Sequence, residues 1–440
     1  MNKLRTLLVK IFSPLIICVS ILLLIYTFYK SEFYWDGLKR DYYSIYYILS
    51  SLLFLFSIIS FYLSSKIKEY IVIAGFSLIF SMYIFEGYLT YKNSHYLKIK
   101  DKKAIYEKIT NKKYDTRTQI EVFEDLKKTE KKVSVKVSPK NWFSNNFSIA
   151  PLSSVSNAKT VYGNENGYYF IYLSDRYGFN NPDKEWDSNN IEYFLVGDSF
   201  VHGANVNRPD DIASILRNLS NKSVLNLGYS GNGPLIQYAA LREYLNEDVK
   251  KVLWFYFEDN DFIDLNEEIK SKILNNYLKD LKFSQNLMSK QQQIDDMVNN
   301  LVEKGSKGEH LKFVKLYNTR TKLLKKKEVE KIIKITQPPV FKEIMKLAKK
   351  LVDKNKSELY FIYLPSYNRY STNYDNVNYD LVKKTINELK IPFIDIHKNV
   401  FLKQENPLKL FPFEMYGHYN EMGYKLIANN VYNLTKGLNE

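Results

Sequence analysis

The chain opens with three long apolar runs, and the pattern of apolar and polar positions changes completely after them. The runs cover residues 11–29, 42–65 and 70–91. About 20 apolar residues in a helix span the hydrocarbon core of a bilayer. We therefore predict a membrane anchor of three transmembrane helices over residues 1–91, with the lipid bilayer as a partner. The third run is the weakest, because Glu86 must lie near an interface or face a partner helix.

Beyond residue 142, short apolar runs bounded by turn residues alternate with segments of helical period. After a loop-rich stretch, the strand-like runs are 191–196, 223–227, 252–257, 358–364 and 392–396, and the helical segments are 212–218, 235–245, 341–352, 379–389 and 421–434. This alternation indicates parallel βαβ units, so we predict an α/β domain with a doubly wound sheet over residues 142–440. A polar, lysine-rich insertion of helical spacing over 266–337 separates the third and fourth strands. It is a lid, a docking arm or a solvated helical hairpin.

Charge concentrates between these two parts. Residues 92–140 carry 15 Lys and Arg against 7 Asp and Glu, which is +8 of the formal net charge of +15. Basic segments next to a membrane attract anionic headgroups. No nucleic-acid-binding motif accompanies them, so we expect no nucleic acid as a partner. We predict a basic linker over residues 92–141 that is solvated or faces lipid.

Composition excludes several kinds of chemistry. The 440 residues include a single cysteine, Cys18, which excludes a disulfide framework and a cysteine-based metal cluster. The five histidines are scattered, and the sequence contains no H-E-x-x-H, G-x-G-x-x-G or Walker A motif. We expect no metal and no cofactor.

Residues suited to acyl chemistry follow the predicted strands, at the sheet edge where ligands bind in open α/β folds. Ser199 follows the first strand in Gly-Asp-Ser-Phe, Gly231 lies in a glycine-rich turn after the second, and Asn260 follows the third. His418 precedes the last helix. Each has an ordinary explanation by itself, namely an N-cap serine, a turn, a helix cap and a structural histidine.

The order of these four residues resembles that of the SGNH (GDSL-type) hydrolase superfamily, over roughly residues 190–436. The chain also resembles membrane-anchored SGNH proteins of bacteria, in which a segment such as 175–182 precedes the first block. The resemblance implies a flavodoxin-like, three-layer α/β/α domain.

Residue by residue, the resemblance implies Ser199 as nucleophile and His418 as general base. The Ser199 N–H, the Gly231 N–H and the Asn260 side chain would form the oxyanion hole. The family has an aspartate three residues before the histidine, and here that position is Met415. Glu414 is the nearest carboxylate and becomes the candidate acid, although a backbone carbonyl could also orient the ring.

Two hypotheses follow. The first is a membrane-anchored serine esterase or O-acyltransferase that acts on acyl esters, first of all acetyl esters, of a cell-surface glycan through an acyl-Ser199 intermediate. Three spans are too few to resemble the large acyltransferase membrane partner that some SGNH domains carry. Another protein would therefore have to supply any acyl donor. The second is a catalytically silent glycan-binding or assembly factor, which the missing aspartate at Met415 motivates.

Two arguments about which side of the membrane carries the α/β domain point in opposite directions. With the N-terminus inside, the cytoplasmic flanks of the apolar runs hold five Lys and Arg residues and the opposite flanks hold eight. This count leans mildly towards a cytoplasmic body. The expected glycan substrate favours an extracytoplasmic (periplasmic) body on a bacterial plasma membrane, and we adopt that side.

Overall fold

The computed structural model describes residues 2–143, 147–308, 311–324, 338–371, 374 and 377–436. The chain divides into two compact units, each continuous in space but not in sequence. Of the described residues, the first unit comprises 2–97, 147–148, 308 and 311–324, and the second comprises 98–143, 149–307, 338–371, 374 and 377–436.

The first unit contains three long apolar helices. They cover Asn2–Phe28, which a π-helical turn over Tyr29–Tyr34 extends, Arg40–Ser60 and Ser65–Lys92. Each is long and apolar enough to cross a membrane. Large apolar side chains such as Leu22 and Phe80 point outward from them, as expected of a surface that faces lipid. The three predicted spans are therefore helices of membrane-spanning length.

The buried Glu86 faces a helix from the insertion. Its carboxylate accepts hydrogen bonds from the backbone N–H groups of Asn318 at 3.0 Å and Thr319 at 2.7 Å. Both residues lie in the first turn of the helix Tyr317–Leu324, where a negative charge is favourable. This part of the insertion, with the short helix Leu311–Val314, belongs to the first unit and not to the α/β domain as predicted. Residues 325–337 of the insertion lie outside the described residues.

A small sheet precedes the main one in the second unit. Its strands are β1 (Val133–Val135), β2 (Lys159–Gly163) and β3 (Phe170–Leu173). Strand β1 pairs parallel to β2, and β2 pairs antiparallel to β3. The sequence pattern predicts a linker and a loop-rich stretch here, and the small sheet corrects that prediction.

The predicted linker over 92–141 is thus largely folded. It contains the helices His95–Thr110 and Gln119–Leu126 as well as β1. Thr118 and Glu121 form a capping box at the start of the second helix. Val122 and Phe123 are buried, so this segment contributes to a core, while most of its lysines are exposed. The high net charge favoured a linker because it outweighed the few apolar residues that form the buried face.

The main sheet has five parallel strands in the order β5-β4-β6-β7-β8. These are β4 (Ile191–Val196), β5 (Ser223–Asn226), β6 (Val249–Phe257), β7 (Glu358–Leu364) and β8 (Phe393–Asp395). All four pairings are parallel, which confirms the predicted parallel α/β sheet. Strand β4 comes first in the sequence among these five but lies second in the sheet. The strand order therefore reverses beside β4, and open α/β folds bind ligands at such a point.

Helices cover both faces of this sheet, because successive strand side chains point to opposite faces. From β6, Leu253 shares a core with Ile427 of the last helix, whereas the Tyr256 ring packs against Phe341 on the other face. The remaining α-helices of the described residues are Ser199–His202, Ile212–Ser220, Pro234–Tyr244, Asp261–Glu268, Lys272–Lys279, Gln291–Gly308, Pro338–Lys354, Asn368–Ser371, Val377–Glu388, Ile396–Asn399 and Glu421–Thr435.

Candidate active site

Ser199 lies just beyond the carboxyl end of β4, at the first position of the helix Ser199–His202. Asp198 caps this helix and accepts a hydrogen bond from the Phe200 N–H at 2.9 Å. A Cβ on Gly197 would lie 2.4 Å from Val201 Cγ2, so the tight strand-to-helix turn requires glycine there. This turn holds the Ser199 hydroxyl at the sheet edge.

His418 lies against Ser199. Its Nε2 is 2.9 Å from Ser199 Oγ, and its ring packs on Phe200 with 4.7 Å between ring centroids. Asn420 caps the following helix by accepting the Gly423 N–H, which fixes the loop that carries the histidine. The structure therefore brings together the serine and histidine that the resemblance paired.

The carboxylate beside His418 is that of Glu165, in the turn between β2 and β3. His418 Nδ1 lies 3.1 Å from Glu165 Oε1, and the His418 backbone N–H donates to Oε2 at 2.8 Å. Burial acts to raise the pKa of Glu165, but the charge and hydrogen bonds of His418 outweigh burial and lower it to about 2. An ionised carboxylate at Nδ1 keeps a proton there and leaves Nε2 to accept the Ser199 proton.

Glu414, the predicted acid, lies elsewhere. Its carboxylate accepts a hydrogen bond from Asn406 Nδ2 at 3.0 Å, and its backbone carbonyl accepts one from the Tyr367 hydroxyl. Its backbone is in the left-handed region, with φ of +56°. The short turn that it ends directs its side chain towards Asn406, so proximity in sequence to His418 was misleading.

Glu165 was not among the predicted site residues, although the sequence around it contains a hairpin signal. Asn166-Gly167 lies between two runs rich in aromatic and β-branched residues, and Asn-Gly between such runs is a strong hairpin signal. Gly167 has φ of +91°, a conformation that glycine adopts readily. A hairpin predicted here would have put a carboxylate at its tip.

The predicted oxyanion-hole residues border the same cavity as Ser199 and His418. In the described part of the chain, the N–H groups of Ser199 and Gly231 donate to no protein acceptor. Asn260 Nδ2 donates to Asp264 at 3.0 Å, and the Asn260 side chain also hydrogen-bonds to the Asp198 carboxylate. Gly231 has φ of +85°, which turns the backbone at the cavity wall.

A buried carboxylate holds the glycine-rich turn in place. Glu268 accepts hydrogen bonds from the N–H groups of Gly233 at 2.5 Å and Leu235 at 2.9 Å. These groups lie at the start of the helix Pro234–Tyr244, which Gly233 precedes. Burial and the charge of Asp264 raise the pKa of Glu268 to about 8.

The cavity has a volume of about 1010 Å³, enough for a ligand much larger than an acyl group. Its wall combines aromatic rings with charged and amide side chains: Tyr162, Phe257, Phe262, Tyr367, Tyr374, Tyr416, Lys136, Lys140, Glu258, Asp259, Asp264, Asn368 and Asn378. Among the residues described, no group of three His, Cys, Asp or Glu side chains is arranged to hold a metal.

No family model matches the chain, and no curated protein matches it. A solved structure similar to it is that of a proposed lipolytic protein of the G-D-S-L family from Desulfitobacterium hafniense DCB-2. The two are 14% identical, the match covers 56% of this chain and 99% of that one, and the TM-score is 0.32. The fold and the site themselves define a parallel α/β domain with serine, histidine and glutamate side chains in contact at the carboxyl edge of its sheet.

Proposed function

We propose that the protein is a membrane-anchored serine esterase that cleaves acyl esters through an acyl-Ser199 intermediate. The observation that carries this proposal is the 2.9 Å contact between Ser199 Oγ and His418 Nε2, with Glu165 on the other ring nitrogen. Serine is a weak nucleophile until a neighbouring base takes its proton. The silent-factor hypothesis came from the missing acid at Met415, and Glu165 removes that reason for it.

The reaction has two halves. Ser199 Oγ attacks the ester carbonyl carbon while His418 Nε2 takes the hydroxyl proton, and the oxyanion lies against the Ser199 N–H, Gly231 N–H and Asn260 amide. His418 then passes the proton to the departing alcohol, which leaves an acyl-serine. Water attacks the acyl group in the second half, and His418 again takes and returns one proton. Each oxyanion donor contributes about 3–4 kcal/mol by analogy with a measured donor in another enzyme.

The substrate that we propose is an acyl ester, first of all an acetyl ester, of a cell-surface glycan. Aromatic faces beside amide and carboxylate groups suit a sugar ring with its hydroxyls. Tyr367 and Tyr416 pack edge to face at 5.9 Å, and Tyr416 is 64% exposed. Asn368 and Asp259 lie on the same wall, 3.2 Å apart at their polar atoms.

Hydrolysis and acyl transfer share the same acyl-enzyme. If a glycan hydroxyl replaces water in the second half, the protein is an O-acyltransferase, and another membrane protein would supply the acyl donor. We place the anchor in a bacterial plasma membrane with the α/β unit on the extracytoplasmic (periplasmic) side, where such a glycan is found.

Labelling and turnover of the full chain in detergent test the proposal. The wild type is expected to react with a fluorophosphonate probe and to hydrolyse 4-nitrophenyl acetate, and Ser199→Ala is expected to lose both. His418→Ala should lose turnover. Ser220→Ala is the matched control, because its hydroxyl bonds within its own helix and lies outside the cavity lining. Equal labelling of wild type and Ser199→Ala would contradict the proposal.

A further inference from the structure

Lys136 is a cavity residue that the proposed chemistry leaves unused. It follows β1 and contributes to the cavity wall. Its Nζ donates to Ser230 Oγ at 3.1 Å and lies 4.9 Å from the centre of the Tyr162 ring. The side chain is only partly exposed, and burial lowers the pKa of Lys136.

The other charges of the cavity wall have partners. Lys140 pairs with Asp264 at 3.0 Å, and Glu258 pairs with Arg369. Within the part of the chain that the structure describes, Lys136 has no carboxylate within 4.0 Å of Nζ. The Glu165 carboxylate acts on Lys136 as a more distant negative charge, but it is bonded to His418. Partly burying an ammonium group without a carboxylate in contact costs free energy, so the position of Lys136 favours a negative partner from outside the chain.

The position of Lys136 fixes where that partner would lie. Ser230, its hydrogen-bond partner, immediately precedes Gly231, whose N–H is a proposed oxyanion donor. An anionic group that accepted hydrogen bonds from Lys136 Nζ and Ser230 Oγ would therefore lie beside the ester carbonyl that Ser199 attacks. Lysine binds carboxylate and phosphate alike as a point charge.

We propose that Lys136 and Ser230 form a subsite for a carboxylate or phosphate carried by the ester substrate, close to the scissile bond. This deepens the proposed function, on which it rests for the identity of the cavity as the ester site. The substrate class becomes an anionic ester. Ser230 contributes a neutral donor, and the Tyr162 face supports the ammonium group from the side.

Binding to full-length Ser199→Ala in detergent tests the subsite without requiring turnover. The probes are 4-acetoxybenzoate and its methyl ester, which differ by one methyl group and one negative charge. We expect the anion to bind about tenfold more tightly. Ser199→Ala/Lys136→Met should lose this preference, and Ser199→Ala/Lys136→Arg should keep much of it because the charge remains. Ser199→Ala/Lys140→Met is the matched control, which removes a lysine already paired with Asp264.

The negative charge of 4-acetoxybenzoate lies on the leaving group, whereas that of 4-nitrophenyl hydrogen adipate lies on the acyl group. Turnover of the adipate and its methyl ester therefore tests for an anion on the acyl side. Both members of this pair release the same phenol. The readout is the ratio of kcat/KM values for the anionic and neutral member of each pair, after subtraction of the rate without enzyme. A Lys136→Met variant that lowers kcat equally for anionic and neutral esters would instead indicate that Lys136 only positions the turn at Ser230.

The outcomes separate the two proposals. A Lys136-dependent preference for either anion supports the subsite, whether or not turnover is seen. If Ser199→Ala binds both members of the benzoate pair equally and the wild type shows no preference in either pair, the subsite is wrong although the esterase proposal stands. If the wild type hydrolyses no ester while the anion binds through Lys136, the esterase proposal fails and the subsite remains. Thermal unfolding of each variant shows that it is folded.

Discussion

The Glu165 carboxylate contacts His418 at two points, the ring Nδ1 at 3.1 Å and the backbone N–H at 2.8 Å. One side chain therefore orients the imidazole and also fixes the loop that carries it. A further contact supports this loop, because Lys102 Nζ donates to the Tyr416 carbonyl at 3.1 Å. The segment predicted as a linker thus takes part in positioning the histidine.

Replacing Glu165 tests its role as the acid of the site. We expect Glu165→Gln to lower kcat for 4-nitrophenyl acetate by roughly 10³- to 10⁴-fold, since an amide neither stabilises the imidazolium nor holds the required tautomer. Glu414→Gln is the matched control and should retain wild-type kcat, because Glu414 bonds to Asn406 and not to His418. Loss of activity in Glu414→Gln with retention in Glu165→Gln would restore the sequence-based assignment.

The turn before Ser199 should not tolerate a side chain. In Gly197→Ala the new methyl group would meet Val201 Cγ2 at 2.4 Å and Phe255 Cβ at 3.2 Å, and such overpacking costs about 1–3 kcal/mol. We expect a lower unfolding temperature together with loss of 4-nitrophenyl acetate hydrolysis, since Ser199 shifts with the turn. Gly305 lies in a helix, and a methyl group there would meet nothing within 4 Å. We therefore expect Gly305→Ala to raise the free energy of unfolding by up to about 1 kcal/mol.

Glu268 should make stability depend on pH in the direction opposite to an ordinary ion-paired carboxylate. Burial, with the charge of Asp264, raises its pKa in the folded state from 4.5 to about 8. The folded state then holds a proton that the unfolded state has lost, so this contribution is fully present below pH 4.5 and is lost as the pH rises through 8. Thermal unfolding measured across this window should show Glu268→Gln losing less stability than the wild type.

The control for Glu268 is its neighbour Glu267, which pairs at the surface with Lys270. Glu267→Gln should follow the wild-type pH profile of unfolding. If Glu268→Gln also follows that profile, Glu268 is ionised throughout the range and its bonds to the N–H groups of Gly233 and Leu235 hold it in the charged form. Glu268→Gln also tests the support of the active site, because the bonds of Glu268 to the Gly233 and Leu235 N–H groups fix the turn that carries Gly231.

The strands of the main sheet could be predicted closely because each is a short apolar run between turn residues. Strands β4 and β7 have the predicted ends, and β6 begins three residues earlier than predicted, at Val249. Ser199 could be predicted because it follows such a strand, and His418 because it immediately precedes the last helix. Glu165 could not be found in the same way, since it precedes the sheet and reaches His418 only through the folded hairpin, 253 residues away in sequence.

The insertion shows the same limit. Its helical spacing was readable, but its location depends on long-range contacts with the third long helix. These include the bonds of Glu86 to the helix Tyr317–Leu324 and the bond of the Tyr83 hydroxyl to the Val314 carbonyl. Polar side chains inside a membrane anchor are costly without partners, so Glu86 indicated that some partner exists. The partner itself could not be predicted, because Asn318 lies 232 residues after Glu86 in the sequence.

Removing the Glu86 carboxylate should release that part of the insertion. In Glu86→Ala the backbone N–H groups of Asn318 and Thr319 lose their acceptor, and an unpaired buried polar group costs about 1–3 kcal/mol. We expect tryptic cleavage after Arg320 and Lys322 to become about tenfold faster in the full chain in detergent, because cleavage follows the population of the opened segment. Mass spectrometry of the fragments gives the rate at each site. Ser81→Ala is the control, since its hydroxyl bonds to Ser77 within the same long helix; equal cleavage of the two variants would show that Glu86 does not hold the segment.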